Sequence, residues 1–239
     1  MYFHNFMLKF NQLIMDTPLY VSILFIFTTI LTVALFYRVC KTVSPPTANK
    51  ILIGLMAWIA LQGILSASGF YLKTDALPPR FALAVIPAFL AMIYFLTAQT
   101  SQNFINKLSL KDLTTLHICR IPVEIVLLWL FQSQQIPQSM TFEGRNFDIL
   151  SGLTALPMAW LAFQNNEIKR TPLLIWNIIC LLLVLNVVIT GLLSAPTPLQ
   201  QMAFEQPNVG VLKFPFVWLP SVIVPLVIFS HLISIKRLL

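Results

Sequence analysis

Charge is what this sequence has least of. Of 239 residues only 10% are Asp, Glu, Lys or Arg, whereas 58% are hydrophobic and the mean hydropathy is +0.83. A chain so poor in charge does not make an ordinary water-soluble globule. Cysteine is scarce as well. Cys40, Cys119 and Cys180 include no CxxC pair, which leaves a disulfide framework and a zinc or redox cysteine site without support. There is no internal repeat of the kind that marks inverted-repeat transporters, and the longest stretches between apolar runs are too short for a soluble domain. Basic residues interleaved with stacking aromatics are also missing, so nucleic acid is not an expected partner despite the net charge of +7.

What the sequence does have is long apolar runs with charges at their edges. A spanning helix needs roughly 20 mostly apolar residues, and seven segments approach that length: 19–37, 51–72, 81–98, 113–131, 148–163, 173–193 and 214–235. The expected fold is therefore all-α, a single polytopic transmembrane bundle of seven spans, with six also open because the middle segments carry prolines and polar residues. The runs are continuous rather than alternating at period two, which argues against a barrel. Residues 1–18 lack the features of a cleaved leader. Phe3, Phe6, Met7, Phe10, Leu13 and Ile14 recur at helical spacing, as in an amphipathic segment lying along the interface.

Lys and Arg set the expected orientation. Arg38, Lys41, Lys50, Lys107, Lys111, Lys169, Arg170, Lys236 and Arg237 fall on one side, and Lys9, Lys73, Arg80, Arg145 and Lys213 on the other. The richer side is expected to be cytoplasmic, with the amino terminus outside and anionic lipid as the partner of the excess charge. Pro87, Pro122, Pro157, Pro220 and Pro225 lie in or near the ends of spans, where each removes a backbone hydrogen bond and favours a kink. Three prolines, Pro215, Pro220 and Pro225, make the last span the least regular.

The most specific feature lies in the fourth segment. His117, Arg120 and Glu124 are spaced i, i+3, i+7 and so share one helix face. Glu124 falls near the middle of the bilayer, where an ionised group costs on the order of 3 kcal/mol. Pairing with Arg120 at i, i+4 is one expected answer. The trio reads either as a structural network or as a ligand or proton site, with Gln62, Asn177 and Asn186 as neutral partners. A second candidate is an outer polar cap of Glu143, Arg145, Asp148 and Glu205, formed if the loops 132–147 and 194–213 fold together. The bland alternative is a pair of interfacial loops.

His231 lies as far from the end of the last span as His117 lies from the start of the fourth, so a metal site of His117, His231 and Glu124 is a weaker alternative. Seven-span zinc hydrolases of the ceramidase type use three histidines, two of them close together on the last span, a pattern this chain does not reproduce. No lysine lies inside the last span to carry a retinal Schiff base, and no cofactor is expected.

The stretches Met140-Thr-Phe-Glu-Gly-Arg-Asn-Phe-Asp148 and Phe204-Glu-Gln-Pro-Asn208, with the Phe-Pro-Phe-Val-Trp-Leu-Pro that follows, resemble an uncharacterised family of small integral membrane proteins from Bacteroidota-type bacteria. The resemblance covers most of the chain. It implies a bacterial inner membrane and brings no activity with it. The leading expectation is a non-enzymatic multi-pass protein that binds or passes a small or lipophilic ligand. Next come a membrane-embedded, metal-assisted hydrolase acting on lipid and a structural or assembly partner of other membrane proteins.

Overall fold

The computed structural model describes residues 17–164 and 167–239. The expected interfacial helix, His4 and Lys9 lie outside the described residues. Among those described, every regular element is helical.

Two long helices come first, α1 (Leu19–Lys41) and α2 (Pro45–Ala67). The sharp turn between them is encoded locally: Ser44 Oγ accepts from Thr47 N and Pro45 occupies the first helical turn, where its missing N–H costs nothing. On α1, Leu19, Ile23, Phe27 and Ile30 are more than half exposed. Such a stripe would be a liability in water and is ordinary against lipid tails. Helix α3 (Ala82–Thr97) and the short α4 (Gln99–Ile105) follow, with an 80° bend between them.

Next is a compound helix in which α5 (Leu110–Leu116) passes through one 3₁₀ turn, His117–Cys119, into α6 (Arg120–Gln132). Ser109 caps its start by accepting from Asp112 N at 3.2 Å. The tightened turn has a cause in sequence, because Pro122 offers no N–H to the carbonyl of Ile118 and its ring crowds that carbonyl. Helix α7 (Ile149–Ala162) is followed by α8 (Arg170–Ser194). The chain ends in a π-helical stretch, Leu219–Ile223, that continues into α9 (Val224–Leu238). Pro225 likewise leaves the Ser221 carbonyl without its usual donor, and Trp58 Nε1 of α2 takes it at 2.9 Å. Trp218 Nε1 donates to Ile59 O at 3.0 Å, so two indoles fasten the last span and the loop just before it to the second span.

Among the described residues, five helices are long and apolar enough to cross a membrane: Leu19–Lys41, Pro45–Ala67, Leu110–Gln132, Arg170–Ser194 and Leu219–Leu238. Counting the bent α3–α4 pair as one span makes six. This is the architecture of a multi-pass membrane protein. Two of the expected segments need correction. The last span begins at Leu219, since residues 214–218 belong to the loop before it. The segment expected at 148–163 is a helix of 14 residues, about 21 Å at 1.5 Å per residue and too short to cross alone. A folded loop precedes it, and that loop builds the site.

Candidate functional site

Between α6 and α7 the chain does not stay outside the bundle. Residues 133–148 fold into it around a 3₁₀ turn, Gln138–Met140, and Thr141, Asn146 and Asp148 are buried. Gly144 makes this possible, because a Cβ there would stand 2.2 Å from the Gln138 carbonyl oxygen. Asn146 Oδ1 accepts from Asp148 N at 2.9 Å, a side chain taking one of the free donors at the start of a helix. Gly152, one turn into α7, lets that helix approach α6 closely: a Cβ would meet Ile121 Cγ1 at 2.8 Å.

This close approach brings Asp148 to Arg120. The guanidinium is met side-on by the carboxylate, with Nε donating to Oδ2 at 2.6 Å and Nη2 donating to Oδ1. Arg120 also donates to the Cys180 carbonyl of α8 at 3.4–3.5 Å. Its Nη1 lies 3.1 Å from Nε2 of His231 on α9. On the other side of that ring, Nδ1 is 2.9 Å from Asn177 Oδ1 of α8. Arginine has donors only, so His231 Nε2 must accept and Nδ1–H must donate to the amide oxygen. Four chain segments are thus tied through one cation. The expected Arg120–Glu124 pair is replaced by a cross-helix pair, because the long arginine side chain reaches the carboxylate at the head of α7.

Glu124 is fully buried and has a different partner. Asn146 Nδ2 lies 2.9 and 2.8 Å from its two oxygens and 2.9 Å from the Met140 carbonyl. Two amide hydrogens therefore face three acceptors, and the guanidinium is committed to Asp148.

His117 completes the cluster without a hydrogen bond. It is fully buried, neither ring nitrogen has a partner, and the ring stacks on His231 with centroids 3.8 Å apart and planes 14° apart. Trp176 closes the other edge. The metal alternative of His117, His231 and Glu124 does not fit this arrangement. Face-to-face rings direct their nitrogens in parallel rather than toward one point, both nitrogens of His231 are engaged, and no metal-holding group of three occurs among the described residues.

The two outer loops do meet, through side chains other than the expected ones. Gln206 Nε2 donates to the carbonyls of Phe131 and Ile136 at 3.1 and 2.6 Å, and Gly210 N donates to Gln135 O at 2.8 Å. Glu143, Arg145 and Glu205 are exposed, and no ion pair joins them among the described residues. Asp148 has left that group for Arg120. Of the neutral candidates, Asn177 belongs to the cluster, Asn186 holds the loop by donating to Arg145 O at 2.9 Å, and Gln62 accepts from Tyr71 at 2.5 Å. Burial pushes the Tyr71 phenol up to about 12, so it remains a donor across the ordinary pH range.

Family comparison bears on the same region. A family model described as a domain of unknown function (DUF8737) matches residues 76–239. The chain belongs to this family. Neither the curated proteins nor the solved structures gave a match. The DUF8737 stretch contains the whole buried cluster from His117 to His231, whereas α1 and α2 precede it, α1 packing beside the helix of His117 and Arg120 and α2 packing on α1. Sequence reasoning missed Asn146, the residue that donates to the Glu124 carboxylate and accepts from the backbone N–H of Asp148. Its signal was present as an Asn-x-Asp just ahead of an apolar helix, a pattern that favours a helix start.

Proposed function

We propose that this DUF8737 protein is a non-enzymatic, multi-pass protein of a bacterial inner membrane. It binds or passes a small or lipophilic ligand, and Glu124 exchanges a proton as the bundle opens and closes. Its seven passages run from an external amino terminus to a cytoplasmic carboxyl terminus, the fifth made of the folded loop 133–148 together with α7.

One observation carries the reading: the charges in the cluster do not balance unless Glu124 is neutral. Arg120 is matched by Asp148, both histidines lie next to a cation and have no carboxylate of their own, and Glu124 is left with one amide. A sealed, unpaired carboxylate at this depth costs several kcal/mol, whereas a carboxylic acid there does not. The closed bundle is therefore complete with a proton on Glu124, and loss of that proton favours a state in which water reaches the site.

Infrared spectroscopy of the full-length protein in lipid nanodiscs tests this. Wild type should show a protonated-carboxyl C=O band near neutral pH that fades on alkalinisation and is missing in Glu124→Gln. A band unaffected by that substitution, or no such band in wild type, would overturn the reading.

A further inference from the structure

Above the cluster, between α3, α8 and the start of the last span, lies a shallow groove, open along one side, whose enclosed part has a volume of about 40 Å³. Phe81, Val85, Phe89, Val187 and Val188 make its walls apolar, and Asn208 is the polar residue of the lining, at one end. Asn208 is 1% exposed and firmly oriented: its backbone N donates to Ser194 O at 2.8 Å and Nδ2 donates to Gly191 O at 3.0 Å. These bonds fix which amide atom is the oxygen. Oδ1 is left buried with no partner, a condition that costs free energy until a donor arrives. Gly191 packs closely here, since a Cβ would stand 3.2 Å from Met140 Cε.

We infer that this groove seats one single-chain membrane amphiphile whose head donates a hydrogen bond, a long-chain alcohol or primary amide, to Asn208 Oδ1. The inference rests on the reading that the protein binds a lipophilic ligand, and it names that ligand's class and place. Polarity along the groove supplies the orientation. Asn208 sits at the Ser194 end of α8, and Val187 lies seven residues further in, about 10 Å at 1.5 Å per residue. A head at Asn208 therefore leaves its tail pointing toward the middle of the bundle, as a lipid of that leaflet would. Ile86, Leu90, Ile189 and Leu192 beside the mouth are largely exposed apolar side chains, so entry is from the bilayer rather than from water. A phospholipid acyl chain fits the walls but brings no donor. The groove also touches the polar cluster, because Met140 lines it while its carbonyl shares the Asn146 amide with Glu124.

The test uses full-length protein in phosphatidylcholine nanodiscs and two photoreactive diazirine probes, hexadecanol and its methyl ether. In wild type the alcohol should label peptides containing Met140 or Val187–Leu192 about five-fold more than the ether, a ratio that one net hydrogen bond supports. Asn208→Leu should erase that preference and keep the ether's labelling, and Val188→Trp, which fills the groove, should remove both. Equal labelling by the two probes in wild type would mean that an acyl chain without a donor occupies the groove, and no labelling would mean that it is closed. Either result overturns the inference, as would a folded Asn208→Leu that keeps the preference. The comparison in wild type depends on no variant folding. The Glu124 infrared band is read in the same nanodiscs, so a failed groove and a failed proton site give different results.

Discussion

Asp148 and Glu124 are both carboxylates sealed inside one bundle, held by the same loop, and their surroundings could hardly differ more. Asp148 receives a bidentate guanidinium, a backbone that Asn146 has positioned and a hydroxyl from Ser151 at 3.4 Å. Glu124 receives one amide that must also serve a carbonyl. The first arrangement stabilises a charge and fixes a packing. The second commits no cation to its carboxyl, and on the proposed reading that group exchanges a proton. Inside a membrane, then, a buried acid is identified as structural or exchangeable by whether a cation is committed to it, and depth alone does not decide.

The sharpest way to break the contrast is Arg120→Leu, which leaves Asp148 buried without a cation. It should cost about 3–5 kcal/mol and show as loss of folded, monodisperse protein in detergent, with partial rescue by Asp148→Asn in the same chain. Asn146→Ala comes next, because it removes the donor that Glu124 has among the described residues and the acceptor at the head of α7. About 3 kcal/mol is expected from two buried groups left unpaired, read as a lower thermal midpoint that recovers in part when combined with Glu124→Gln. Gly152→Ala pushes α7 off Ile121 and lengthens the Arg120–Asp148 contact, with an overpacking cost of about 2 kcal/mol. Glu124→Gln should change stability by less than about 1 kcal/mol while abolishing the proton signal. The smallest effect is expected from His117→Phe, which keeps the stack on His231 and removes two unpaired nitrogens. Its stability should be equal or slightly higher, and a large loss would show that His117 has a partner the closed state does not reveal.

Helix class and the positions of the strongest apolar runs were legible in the sequence because both depend on local composition. The trio His117, Arg120, Glu124 was legible for the same reason: three polar residues on one face of an apolar helix stand out. Partner choice was not. Local spacing favours Glu124 for Arg120, one turn away, whereas the partner that satisfies the guanidinium is 28 residues further along and arrives only because the loop folds inward. Hydropathy treats residues 132–147 as an external loop and 148–163 as a span, so Asp148 was assigned to the outer mouth with Glu143, Arg145 and Glu205. Gly144 and Gly152 were the signals for the inward fold, and their meaning emerges only when the atoms a Cβ would strike are known. The same holds for Asn208, an ordinary loop amide by sequence, whose significance is the missing partner of one oxygen.

The shortness of α7 has a consequence for how the protein is made. A 14-residue apolar helix preceded by a loop of polar backbone cannot enter a bilayer as an independent unit. Some of the loop's carbonyls find their partners only in later residues, Arg145 O in Asn186 of α8 and Gln135 O in Gly210 N, so in the proposed seven-passage reading the loop and α7 are expected to settle into the membrane after α8 has emerged. That reading gives biogenesis a late step, and Arg120, waiting for Asp148, is the group that would make the delay costly.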